Sequence, residues 1–72
     1  MGDNMYGSIG INLRMLRFEK NKTQKEVAEA TGIYNRKLSY YECNKINPSL
    51  EDLEKLARYY GVPVEKIKDV IY

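Results

Sequence analysis

Residues 23–44 read TQKEVAEATGIYNRKLSYYECN, and this stretch decides the fold of the chain. Thr23 and Glu26 have the T-x-x-E spacing of a capping box, in which two otherwise unpaired N–H groups at a helix start are satisfied reciprocally. The pattern predicts a helix that begins after Thr23 and ends at Thr31. Gly32 follows, and because glycine adopts positive φ without a steric penalty, the chain is expected to reverse there.

The second half of the stretch predicts another helix. Leu38 and Tyr41 stand three residues apart and are expected on the buried side of a helix from about Asn35 to Cys43. Asn44 tolerates the left-handed conformation and is a suitable stop. The two predicted helices and their tight turn form a helix-turn-helix over residues 23–44.

Upstream of this motif, one helix is expected. Ser8 is a plausible N-cap for a helix that runs to about Lys20, with Ile9, Leu13 and Leu16 forming its inward stripe. Residues 1–7 have no periodicity and are interpreted as a flexible N-terminal arm.

Downstream, Ser49 is expected to cap a fourth helix that Gly61 ends, and a short last helix should turn Val64 and Ile67 to the core. The predicted apolar face of the fourth helix comprises Leu50, Leu53, Leu56, Ala57 and Tyr60. Residues 8–72 therefore predict one all-α, compact five-helix domain with short connections.

Size and composition exclude several function classes. At 72 residues the chain is one small domain with little room for a catalytic cleft. One cysteine and no histidine argue against an internal disulfide, a metal site and acid–base chemistry near neutral pH. We therefore expect no enzyme activity, no metal and no cofactor. No apolar run approaches the roughly 18 residues of a membrane span, so no membrane partner is expected and a cytoplasmic location is predicted.

Charge is distributed unevenly. The whole chain carries only +2, but eight basic and four acidic residues lie between Ser8 and Lys45, whereas the remainder from Ile46 onward is slightly acidic. Positive charge thus accompanies the helix-turn-helix, which favours contact with phosphates there.

Gln24, Ala28, Gly32, Leu38 and Glu42, together with PSLEDLEKLARYYGV over residues 48–62, give the chain a resemblance to a known family. The chain resembles the Cro/repressor type of helix-turn-helix DNA-binding domain over about residues 9–67. The resemblance implies a repressor-like fold, a second motif helix lying in the major groove, and a symmetric homodimer on a two-fold operator in double-stranded DNA. It implies a transcriptional regulator, more specifically a repressor.

The resemblance also assigns roles to residues. Asn35, Arg36 and Tyr40 would read bases, since Arg can contact guanine and Asn adenine in a bidentate manner. Contacts to the DNA backbone or groove wall are implied for Gln24, Tyr34, Lys37, Ser39, Lys45 and Asn47. Tyr34 departs from the family pattern, because Ser or Thr is common at this N-cap.

Two further groups of residues complete the predicted sites. The resemblance implies a structural salt bridge between Arg17 and Glu42 that fixes the second motif helix, which is the recognition helix of this family. A homodimer contact is predicted from apolar side chains that so small a domain would struggle to bury, namely Tyr59, Val70, Ile71 and Tyr72.

Two alternative functions remain open at this point. The same fold could serve as an antitoxin or another protein-binding module. It could also serve a transcriptional activator that contacts polymerase through an acidic patch at Glu51, Asp52 and Glu54. No small-molecule effector is evident, and the sequence does not identify the operator.

Overall fold

The computed structural model describes residues 6–68, and within this range it contains five α-helices and no strand. The helices are α1 (Tyr6–Glu19), α2 (Gln24–Thr31), α3 (Asn35–Glu42), α4 (Leu50–Tyr60) and α5 (Val64–Lys68). The all-α, five-helix prediction is therefore confirmed. Helix α1 packs against α3 and α5, and α2 packs against α3 and α4.

The predicted ends of α2 and α4 are confirmed, whereas α3 ends at Glu42, one residue before the predicted Cys43. The Thr23 hydroxyl accepts a hydrogen bond from the Glu26 N–H at 3.1 Å, and the Glu26 carboxylate accepts one from the Thr23 N–H at 2.8 Å. Gly32 and Gly61 end α2 and α4 with φ of 79° and 72°, a conformation that costs glycine nothing. Ser49 caps α4 by accepting a bond from the Asp52 N–H.

The core forms where all five helices meet. Its buried apolar side chains are Leu13, Val27, Ile33, Leu38, Tyr41, Leu53, Leu56, Ala57 and Ile67. Ile9, Leu16, Tyr60 and Val64 pack against this cluster and are partly buried. The inward positions predicted for α1, α3 and α5 are thus confirmed.

Three expectations about helix ends and faces are wrong. Helix α1 begins at Tyr6, so Ser8 lies inside the helix and is not its N-cap. Positions 6 and 7, which were expected in the N-terminal arm, belong to α1, and residues 1–5 lie outside the described range. Leu50 is 64% exposed. It opens α4 at the margin of the apolar stripe, so its side chain meets solvent instead of the core.

Two polar contacts of α1 fix its neighbours. The Asn12 amide is buried and donates a hydrogen bond of 2.7 Å to the carbonyl of Ile67, which joins α1 to the end of α5. The Gly10 N–H donates to the Asn44 side-chain oxygen at 3.1 Å. A Cβ on Gly10 would lie 2.6 Å from the Glu42 carbonyl oxygen, so this close approach of α1 to the end of α3 requires glycine.

None of the helices in the described range is both long and apolar enough to cross a membrane.

Candidate nucleic-acid interface

Helix α3 has one face in the core and one face in solvent. Leu38 and Tyr41 are each 2% exposed and hold the helix against the rest of the domain. Asn35, Arg36 and Tyr40 lie on the outer side and are exposed. The three residues for which base reading was predicted therefore share an accessible face of one helix.

Side chains from α2 and α3 line one shallow depression at this surface. The depression is lined by Gln24, Asn35, Arg36, Ser39 and Tyr40. All five were predicted to contact DNA, and the structure brings them together. Lys45 and Asn47 are exposed in the loop after α3 and do not belong to this depression.

Tyr34 occupies the N-cap of α3 without capping it. Its side chain forms no capping hydrogen bond, and the residue is 81% exposed. The N–H groups of the first turn of α3 consequently have no cap side chain to donate to, and they carry the partial positive charge of a helix start. The exposed ring of Tyr34 and the uncapped start of α3 thus lie next to Asn35, which lines the depression.

Glu42, the last residue of α3, is held from two sides. Its carboxylate accepts hydrogen bonds from Arg17 Nε at 2.9 Å and from Arg17 Nη2 at 3.0 Å, a bidentate ion pair. Gln24 Nε2 donates a third bond to the same carboxylate, also at 3.0 Å. Glu42 is only 2% exposed, so its carboxylate has lost most of its hydration. These three hydrogen bonds compensate for that loss. The pair that the resemblance implied is present in the structure.

Arg17 also fixes the corner between α1 and α2. Its Nη1 donates to the carbonyl of Lys22 at 3.0 Å, and the Lys22 N–H donates back to the Arg17 carbonyl at 3.2 Å. The hydrogen bond to Glu42 raises the pKa of Arg17, because this bond favours the charged guanidinium. Burial of the side chain opposes part of this rise. One side chain thereby links α1, the corner and α3.

Asp52 of α4, named above in the acidic patch of the alternative activator function, instead supports α3 from the opposite side. It is buried and accepts a hydrogen bond from the Tyr41 hydroxyl, and the Lys37 ammonium lies 3.5 Å from the same oxygen. Burial, aided by this carboxylate, raises the pKa of Tyr41. Asp52 therefore cannot join an exposed acidic patch, although Glu51 and Glu54 remain exposed.

Lys37 combines two environments. Its side chain is about half exposed while its ammonium lies near Asp52. The helix face that carries it is therefore anchored to α4, and the ammonium still reaches solvent.

The predicted dimer contact lies only partly within the described residues. Tyr59 is half-buried, packs edge-to-face on Tyr60 with ring centroids 5.0 Å apart, and has the Lys20 ammonium 5.6 Å from its ring. Val70, Ile71 and Tyr72 lie outside the described range.

Sequence reasoning missed two residues that position α3 and its scaffold, Gly10 and Asn12. A glycine within a predicted helix is a signal of close packing, and it was available at Gly10. Asn12 gave no such signal, because an amide on a helix with mixed polarity reads as solvent-exposed. Among the residues described, no group of three or more Cys, Asp or Glu side chains is arranged to hold a metal.

Comparison with known proteins identifies relatives for most of the chain. The sequence model of the HTH_3 family, described as Helix-turn-helix, matches residues 13–67. The chain is 40% identical over 55 residues to the cryptic phage CTXphi transcriptional repressor RstR of Vibrio cholerae, a match that covers 76% of this chain and 50% of that protein. The chain thus spans about half the length of this relative. It is also 33% identical over 55 residues to an uncharacterized HTH-type transcriptional regulator of Archaeoglobus fulgidus, covering 76% of this chain and 78% of that one.

Solved structures with the same fold include two bacterial regulators. The restriction-modification controller protein C.AhdI from Aeromonas hydrophila superposes with a TM-score of 0.81 at 26% identity, over 86% of this chain and 94% of that one. The hypothetical transcription factor NHTF from Neisseria gives 0.86 at 25% identity, over 96% and 82% of the two chains. The chain therefore belongs to the HTH_3 helix-turn-helix family, which is of the Cro/C1 type.

Proposed function

We propose that this protein is a repressor that binds a palindromic operator in double-stranded DNA as a homodimer. The observation that carries the proposal is the outer face of α3, where Asn35, Arg36 and Tyr40 are accessible on a helix whose last residue is held by Arg17 and Gln24. A rigidly held helix suits base reading, since direct contacts discriminate only when donors and acceptors are correctly placed.

In this proposal the outer face of α3 enters the major groove. Arg36 donates two hydrogen bonds to O6 and N7 of a guanine, and Asn35 pairs with N6 and N7 of an adenine. Tyr40, one turn further along, presents its ring to a thymine methyl group. Each bidentate contact discriminates by about 1–3 kcal/mol against the wrong base.

Neighbouring polar groups would set the register on the sugar–phosphate backbone. Lys45 and Asn47 are exposed in the loop that follows α3, and Tyr34 is exposed at its start. Gln24, Lys37 and Ser39 lie at the edge of the same surface. Gln24 Nε2 has two hydrogens, so it can keep its bond to Glu42 and donate the second to a phosphate.

Dimerisation is proposed through Tyr59 and the apolar residues Val70, Ile71 and Tyr72. Two recognition helices related by two-fold symmetry would meet half-sites about one helical turn apart. Operator occupancy would block transcription directly, which fits a likeness to a phage repressor. A cytoplasmic location is part of the same proposal, because the protein would have to reach its operator there.

The test is selection of bound duplexes from a randomised DNA pool at near-physiological salt. The proposal expects enrichment of an inverted repeat with half-sites about ten base pairs apart. Enrichment of one short unrepeated site would remove the homodimer and keep DNA binding. No enrichment at all would contradict the proposed function and favour a protein partner for this fold.

A further inference from the structure

Three large apolar side chains of α1 are exposed on one line. Ile11, Met15 and Phe18 are 41%, 48% and 63% exposed, and they are spaced by four and then three residues. At 3.6 residues per turn these positions share a face, and it is opposite to the face of Ile9, Leu13 and Leu16 that packs on the core. We call Ile11, Met15 and Phe18 the outer stripe.

The charged residues beside the outer stripe complete a recognisable pattern. The four-then-three spacing is that of positions d, a and d of a heptad, which places Arg14 at position g and Glu19 at position e. In parallel paired helices, a residue at g faces the residue five positions later, at e, of the other helix. Arg14 and Glu19 are five positions apart and opposite in charge. Within the described residues, neither forms an ion pair of its own.

We propose that the outer stripe is a self-association surface, which pairs α1 in parallel with α1 of a second copy of this chain. Ile11, Met15 and Phe18 then each meet the same residue of the second copy. Arg14 of each copy lies beside Glu19 of the other, so the contact carries two ion pairs. An antiparallel pair would instead place the two Arg14 side chains along one edge and the two Glu19 side chains along the other. The charges therefore select the parallel arrangement.

Helix α1 is already formed by the domain, so association does not require a new helix to nucleate. The contact is nevertheless small, since three partly exposed side chains per copy fall short of the about 800 Å² per partner of a standard interface. We therefore infer a weak contact that acts when copies are already close together, as on adjacent DNA sites. It uses residues other than those proposed to bind DNA, so it can be tested without DNA.

Cysteine cross-linking tests both the surface and its direction. In a Cys43→Ser background, Ile11→Cys and Phe18→Cys are each expected to form disulfide-linked dimers with themselves in a thiol–disulfide buffer without DNA. Leu50→Cys is the control for random collision, because Leu50 on α4 is 64% exposed, which matches the 63% of Phe18 and exceeds the 41% of Ile11. Ile11→Cys dimers that form to no greater extent than Leu50→Cys dimers would overturn the proposal. Preferential linkage of Ile11→Cys to Phe18→Cys in a mixture would also overturn it, since that is the antiparallel pairing.

Charge reversal provides the second arm, measured on the Ile11→Cys protein. Arg14→Glu alone and Glu19→Arg alone are each expected to lower the cross-linked fraction about fivefold, since two surface ion pairs are lost. The double reversal should restore it, because the opposite charges again face each other. A double variant that stays as low as the single variants would contradict the pairing. Circular dichroism on each variant keeps a folding defect distinguishable from lost association.

Discussion

Arg17 and Glu42 lie 25 positions apart in sequence, and they form a two-bond ion pair between α1 and the last residue of α3. Their side chains are 13% and 3% exposed, so the pair is largely removed from water. The orientation of the proposed DNA-reading helix therefore depends on a charged contact made by a helix outside the helix-turn-helix itself. Gln24 extends this contact into α2.

Arg17→Met is expected to lower the free energy of unfolding by about 3 kcal/mol, because it leaves the buried Glu42 carboxylate without its cation. Arg17→Met combined with Glu42→Met should cost clearly less than Arg17→Met alone, since no unpaired charge remains. Urea denaturation followed by circular dichroism measures both. The exposed Arg14→Met is the control and should change stability by no more than about 0.5 kcal/mol. Strictly additive losses in the double variant would contradict a coupled pair.

Gly10→Ala should destabilise the protein although alanine is the better helix former. The new Cβ would lie 2.6 Å from the Glu42 carbonyl oxygen and 2.8 Å from the Asn44 amide nitrogen. Such overpacking costs about 1–3 kcal/mol, whereas helix propensity alone predicts a gain of about 0.5–1 kcal/mol. Thermal or urea denaturation measures the change in the free energy of unfolding, and its sign shows whether overpacking or helix propensity dominates. A more stable variant would show that α1 and α3 are not in such close contact.

Tyr41→Phe is expected to lower stability by about 1–3 kcal/mol, because the buried Asp52 carboxylate loses the hydroxyl that donates to it. The neighbouring Tyr40→Phe is the matched control. Tyr40 is exposed, and removal of its hydroxyl should change the unfolding free energy by no more than about 0.5 kcal/mol. Equal effects in the two variants would mean that the Asp52 contact contributes nothing to holding α3.

The capping box predicts a specific dependence of stability on pH. The Thr23 N–H donates to Glu26 and lowers the pKa of this carboxyl below its ordinary value of 4.5. Because the folded pKa is the lower one, the unfolded chain takes up the proton first as pH falls. The contribution is thus present above about pH 4.5 and is lost as pH decreases through the folded pKa. Acid titration of stability should show a smaller decline for Glu26→Gln than for the wild type, and identical declines would contradict the assignment.

The parts of the fold that the sequence predicts best are determined locally. The Thr23–Glu26 box, Gly32, Ser49 and Gly61 all act within four residues of where they stand, so their spacing alone identifies the ends of α2 and α4. Family resemblance added the Arg17–Glu42 pair, which no local pattern indicates.

What the sequence did not reveal depends on contacts between distant residues. Asp52 looked like a surface acid because it follows a serine cap, and only the position of Tyr41 shows that it is buried. Asn12 becomes a structural residue because α5 ends beside it, 55 positions later. Leu50 fits the apolar pattern of α4, but packing at the first turn decides its exposure.

The proposed function depends above all on base reading by the outer face of α3. The most direct measurement compares Arg36→Ala and Lys45→Ala in binding to the selected operator and to random duplex DNA over a range of salt concentrations. Arg36→Ala should weaken the free energy of binding to the operator by about 1–3 kcal/mol and the free energy of binding to random DNA by far less. Lys45→Ala should weaken both to the same extent and reduce the salt slope by about one. Equal losses on both DNAs for Arg36→Ala would contradict base reading by α3.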